Sequence, residues 1–133
     1  MGLVRFPKPA RRSRKPRKRI KQLSPRKAVT RQADMLWSRL VRERRSICEY
    51  PDCHMRSTEA HHLISRASTG TRWNLLNGVA LCREHHELVQ HNRVRNDEMA
   101  LWLLGYDGWS WLQEARHAKF RAADALAGLK GAK

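Results

Sequence analysis

Two short ligand pairs, Cys48-x4-Cys53 and Cys82-x2-His85-His86, constrain this chain more than any other feature of it. Thiolates and imidazoles in closely spaced pairs are how a small domain holds Zn²⁺, which takes four such ligands in a tetrahedron. Cys48, Cys53 and Cys82 with one of the two adjacent histidines make four, by either Cys82-x2-His85 or Cys82-x3-His86. The turn through Tyr50-Pro51-Asp52 suits a loop that aims two thiolates at one point. Three cysteines cannot all pair with one another, which fits a reducing compartment in which they bind metal. His61, His62 and whichever of His85 and His86 the zinc leaves over lie in the same segment, so a second polar site is expected there.

The chain around these pairs reads as one α+β domain. Ser24-Pro25 is a helix start, with Ser as cap and Pro at the first helical position. Val29, Ala33, Leu36, Trp37, Leu40 and Val41 then form one apolar stripe, predicting a packing helix over 25–45. Glu59 to Ile64 reads as a short strand and Gly78 to Leu81 as a second, joined by a polar loop that bends at Gly70. Arg83 to about His91 is predicted helical. A third helix is expected through Met99, Leu101, Trp102, Leu103 and Leu104, ended by Gly105 and Gly108. A fourth is expected from Trp109 to Leu129, with Trp111, Leu112, Ala115, Phe120, Ala123 and Leu126 or Leu129 inward. These later helices, over 96–129, supply a core that a zinc module of ~45 residues cannot provide alone.

The run Cys-x4-Cys … His61-His62 … Asn77 … Cys82-x2-His85-His86 resembles the HNH endonuclease family in its zinc-bearing form. The likeness covers roughly residues 48–92, a third of the chain. It implies a zinc-stabilised ββα-metal (His-Me finger) core with flanking helices. In that pattern His62 is the general base, a role suited to an imidazole whose ordinary pKa of ~6.5 lies near operating pH. His61 takes the place of the first ligand to a catalytic divalent cation, and His86 the second. Zinc then falls to Cys48, Cys53, Cys82 and His85, because relatives usually read Cys-x2-Cys-His here. The cation in the family is typically Mg²⁺ or Mn²⁺, and two imidazole ligands also suit Ni²⁺ in vitro. Adjacent strand residues point to opposite faces, so His61 and His62 can share a site only if the strand ends or bends there.

The chain departs from the family pattern at the third cation ligand, where Gln90 stands four residues after His86. His91 is one residue further, and a five-residue step turns ~140° on a helix, so His91 serves only if the helix ends first. Asn77 matches the family's spacing before Cys82 and is expected to tie the loop that holds the base histidine. Asn77-Gly78 is equally an ordinary turn pair. A fainter likeness, to small phage-encoded HNH proteins that include the NinG/Rap recombination nucleases, rests on the basic arm and the helix ahead of Cys48, and on His-His-Leu-Ile-Ser-Arg … Thr-Arg-Trp-Asn. It implies work on branched, packaged or replicating DNA.

Charge points the same way. Residues 1–31 hold thirteen Lys and Arg and no acidic residue, so most of the net charge of +16 sits in an arm. So charged and apolar-poor a segment cannot offset its ordering entropy, and residues 1–23 are expected to be disordered until they meet a polyanion. Arg11, Arg12, Arg14, Lys15, Arg17, Lys18 and Arg19 are its candidate phosphate contacts, with Arg66 and Arg72 in the inter-strand loop. The expected partner is double-stranded or branched DNA, bound by a monomer or a homodimer, and RNA is not excluded by charge. No apolar stretch approaches the ~18–20 residues that span a bilayer, and no secretory pattern is present, so a cytoplasmic protein is expected. The competing reading is a catalytically inert zinc-dependent DNA-binding module, for which Gln90 is the best argument.

Overall fold

The computed structural model describes Gly2 and residues 19–132. The arm residues Arg11 to Lys18 lie outside the described residues, and Arg19 to Leu23 is exposed, without secondary structure. Helix α1 runs from Pro25 to Arg44, with Ser24 at the cap position and its carbonyl accepting from Ala28 N–H at 2.9 Å. The Ser24 side chain makes no capping bond, so Pro25 carries the start signal. Ala33, Trp37 and Val41, each four residues apart, form the buried edge of the expected stripe.

Strands β1 (Glu59–His62) and β2 (Gly78–Leu81) pair antiparallel, with Glu59 opposite Leu81 and His62 opposite Gly78. Asn74 caps a single 3-10 turn over Leu75–Asn77 that leads into β2, its side chain accepting from Leu76 N–H. Helix α2 (Arg83–His91) follows, then α3 (Arg93–Ala115) and α4 (Ala122–Gly131). Among the described residues no helix is long and apolar enough to cross a membrane.

The small sheet is covered on both sides, and every residue of β2 is buried. Val79 and Leu81 enter a core with Leu63, Ile64, Val89, Met99 and Leu112, on the side of α2 and α3. Ala80 turns the other way, to Ala33, Trp37, Val41, Trp73, Leu126 and Leu129 of the α1 and α4 side. That alternation is the period of two that any strand imposes. Gly78 is required by the second layer. A Cβ there would stand 2.3 Å from Val41 Cγ2 and 2.9 Å from Trp37 Cζ2.

The carboxy-terminal helices differ from expectation. α3 begins at Arg93, capped by the Asn92 side chain on Arg95 N–H, and the expected stop at Gly105 is present as a non-helical kink, φ 69° and ψ 175°, between two helical segments. The single helix expected over 109–129 is broken between Ala115 and Ala122. The break lets α4 double back onto α1, and it lies against Gly70, where a Cβ would meet the carbonyl oxygens of Ala115 and Ala118. Leu112, Leu126 and Leu129 point inward as expected, whereas Trp111, Phe120 and Ala123 are exposed. No Pro or Gly marks residues 116–121, so periodicity alone runs straight through the break.

Candidate metal centre and the flanking histidines

Cys48, Cys53, Cys82 and His85 converge, their ligand atoms all within 4.8 Å of one another. A short loop places the first pair. Cys48 N–H donates to Met55 O, Ile47 bridges Arg56, and Asp52 takes φ 61°, turning the chain back so that Cys53 N–H reaches Tyr50 O. Aspartate tolerates that left-handed conformation better than most residues. The start of α2 places the second pair, with Cys82 at the N-cap and His85 one turn in. Tyr50 stacks flat on the His85 ring at 4.0 Å and holds its plane.

Three of the spacings lie near a tetrahedron's edges. His85 Nδ1 lies 3.2 Å from Cys82 Sγ and 3.7 Å from Cys48 Sγ, and the Cys53 and Cys82 sulfurs are 4.0 Å apart. Zinc bonds of ~2.3 Å to sulfur and ~2.0 Å to nitrogen place such ligand atoms roughly 3.5–3.8 Å apart. A disulfide would need ~2.05 Å. Burial pushes the Cys48 thiol up to about 11, a cost that a coordinated cation reverses by holding the thiolate. The four residues can hold a metal such as zinc. Of the two adjacent histidines, His85 joins this cluster.

His86 turns away from the sulfurs and meets His61 of β1 edge to face, ring centroids 5.4 Å apart. His61 is buried, and its Nε2 lies 2.8 Å from Asn96 Oδ1 of α3. The Asn96 amide nitrogen donates to Leu63 O and Asp97 Oδ1, which fixes its oxygen toward the ring. His61 Nε2 therefore donates, and Nδ1 keeps the lone pair. Burial lowers the His61 pKa, opposed by the Asn96 bond and reinforced by His86, so the ring is neutral at neutral pH. His91 is exposed on the last turn of α2, which runs unbroken from His86 through His91, so the helix does not end in time to turn His91 toward His86. Among the described residues, neither His91 nor any other His, Cys, Asp or Glu joins His61 and His86 in a cluster of three metal-ligating groups.

His62 closes β1 and points to the opposite side of the sheet. Its ring stacks on Trp37 of α1 at 3.8 Å and 12°, with Nε2 2.9 Å from the Arg72 carbonyl. A carbonyl only accepts, so Nε2 carries the proton and Nδ1 the lone pair. Burial is the main cause of a pKa pushed down to about 4, so the ring stays neutral far below pH 7. Asn77, fully buried, ties the loop in the expected manner. Its Oδ1 accepts from Ile64 N–H at 2.7 Å, and its amide donates to Ile64 O and Thr71 O.

The two loop arginines differ. Arg66 is exposed. Arg72 grips Asp34 of α1 through both Nε and Nη2, at 2.9 and 2.7 Å, and Trp73 Nε1 donates to the same carboxylate at 2.9 Å. A groove of about 720 Å³ opens on the His62 side, lined by Asp34, Trp37, Arg39, Arg42, His62 and Arg66. Among the described residues Arg39 is tied only to exposed Glu43 at 3.8 Å, a pairing worth little in water. Sequence reasoning missed Asp34, Trp37 as a histidine partner, and Asn96, because each acts across elements far apart in the chain. Compared with known protein families, with curated proteins and with solved structures, the chain matches none.

Proposed function

We propose that this chain is a metal-dependent HNH endonuclease that hydrolyses DNA phosphodiester bonds, phage-encoded and working in recombination, replication or packaging. The observation that carries the reading is the state of His62. Its Nε2 proton is committed to the Arg72 carbonyl, and it lines a groove with Arg39, Arg42 and Arg66. Nδ1 is then the basic atom. It takes a proton from water, the hydroxide attacks phosphorus in line, and the bond to the 3′-oxygen breaks. Solvent protonates the departing oxygen, leaving a 5′-phosphate and a 3′-hydroxyl. The arginines hold phosphate oxygens, and the basic arm adds sequence-independent affinity that falls with salt.

His61 Nδ1 and the His86 ring would hold a divalent cation, Mg²⁺ or Mn²⁺, on the α2 and α3 side of the sheet, and it would neutralise charge on the phosphate attacked from the His62 side only where the DNA backbone passes the end of β1. The cluster of Cys48, Cys53, Cys82 and His85 would carry zinc as scaffold, fixing the start of α2 and so the His86 position.

A second reading, an inert zinc-dependent DNA-binding module, draws on one specific observation. His61 and His62 leave the strand on opposite faces, His62 against α1 and His61 against α2 and α3. Incubation of the purified protein with supercoiled plasmid and Mg²⁺, Mn²⁺ or Ni²⁺, beside a His62→Ala variant, separates the two. Relaxed or linear product from wild type alone supports the nuclease. Plasmid binding with no cleavage by either protein supports the inert module.

A further inference from the structure

Helix α1 lies outside residues 48–92, yet it grips His62 from two directions. Trp37 stacks on the ring face. Three residues earlier on the same helix, Asp34 clamps the Arg72 guanidinium with two charge-assisted bonds and holds Trp73 with a third. Arg72 and Trp73 are consecutive, so these bonds pin the peptide whose carbonyl receives the His62 proton. The Arg72 and Asp34 side chains are 21% and 34% exposed, enough shelter for a bidentate pair to keep a fixed geometry.

We propose that Asp34 is a positioning residue for His62. It acts through Arg72 to hold the Arg72 carbonyl against His62 Nε2, and so keeps the imidazole in the tautomer whose Nδ1 is free to accept a proton. The inference rests on the nuclease reading above, and it gives Arg72 a role other than phosphate contact. An imidazole donating to a backbone carbonyl has its tautomer and its ring plane set together. If the carbonyl swings away, Nδ1–H and Nε2–H forms interconvert freely and the base is present for only part of the time. Charge supports the assignment. Asp34 is acidic and lines an otherwise arginine-rich groove, where a residue serving DNA affinity would be basic.

The experiment measures kcat and KM on a defined DNA duplex for the zinc-loaded full chain, the Asp34→Ala variant and the Arg72→Lys variant. The ¹⁵N signals of His62 are read in the same proteins, assigned by their loss in His62→Gln. Lysine keeps the charge of Arg72 but cannot form the two-pronged bond, so it tests the clamp even where Asp34→Ala fails to fold. The expected result is a fall in kcat of ~10–100-fold with KM within about twofold, the scale of a misplaced catalytic group. Wild-type His62 should show a pure Nε2–H signature, and the variants a mixture.

An unchanged kcat with an unchanged tautomer overturns the proposal and leaves the nuclease reading standing. So does a changed KM at constant kcat, which would make Arg72 a phosphate contact that Asp34 restrains. If wild type cuts with none of Mg²⁺, Mn²⁺ and Ni²⁺, the nuclease reading itself fails, and the positioning role fails with it.

Discussion

The two sides of the sheet are held by different physics. On one side, Cys48, Cys53, Cys82 and His85 converge because two short loops each carry a ready-made pair, and neighbouring side chains only need to meet. On the other, His62 is held by Trp37 and by Asp34 through Arg72, partners supplied by a helix that ends before the first cysteine. A metal-bound cluster draws its stability from a few strong bonds, about 10–16 kcal/mol apparent for a structural zinc. The His62 side draws its stability from packing, where each contact is small and shape decides. The first arrangement tolerates surface change and fails all at once when a ligand is lost. The second is eroded in steps.

The sharpest break in that comparison is Cys82→Ser. Cys82 is a cluster ligand at the start of α2, so its loss should release the metal and unfold the β1–β2–α2 unit, although serine suits the N-cap position. We expect zinc stoichiometry to fall well below one per chain, with loss of helical circular dichroism. Retention of one tightly held zinc would place the scaffold elsewhere.

Gly78→Ala tests the opposite side without touching a ligand. Its Cβ would collide with Val41 and Trp37, so α1 must shift off the sheet at the residue that faces His62. A cost of about 1–3 kcal/mol is expected from denaturant unfolding, with zinc content unchanged. Val41→Ala in the same chain should recover part of it. Full stability of the single variant would show that α1 is not seated as described.

A pH dependence is expected as well, comparable in size to the Gly78→Ala cost. His62 titrates near 4 in the folded chain against an ordinary value of 6.5, so between those values the unfolded chain binds a proton that the folded chain refuses. Stability from this group is therefore full above pH 6.5 and lost as pH falls toward 4. His62→Gln keeps a donor for the Arg72 carbonyl and removes the titration. Its urea midpoint, subtracted from that of wild type at pH 7 and again at pH 4.5, should show wild type losing ground on acidification. A constant difference would mean that the ring is open to water rather than packed under Trp37.

Much of this was legible from spacing. The four-ligand pattern, the bounds of β2 and α2, and the stripe of α1 all follow from local residue order, and each is present in the fold. The start of α3 was hidden because Arg93 to Glu98 is almost wholly polar, and its one buried residue, Asn96, is buried to meet His61. The break after Ala115 was hidden because it packs against Gly70, far away in the chain. Arg72 read as a free cation until its partner came into view on α1.

By itself the order of residues determined where a tetrahedral cluster can form, since ligands three and five positions apart must meet whatever surrounds them. It also left open which of His85 and His86 belongs to that cluster, and where His61 and His62 face. Only the packed structure decided those. Adjacent side chains on a strand or helix diverge, and the direction each takes is set by what the two layers bring against it: sulfurs, Asn96 or Trp37.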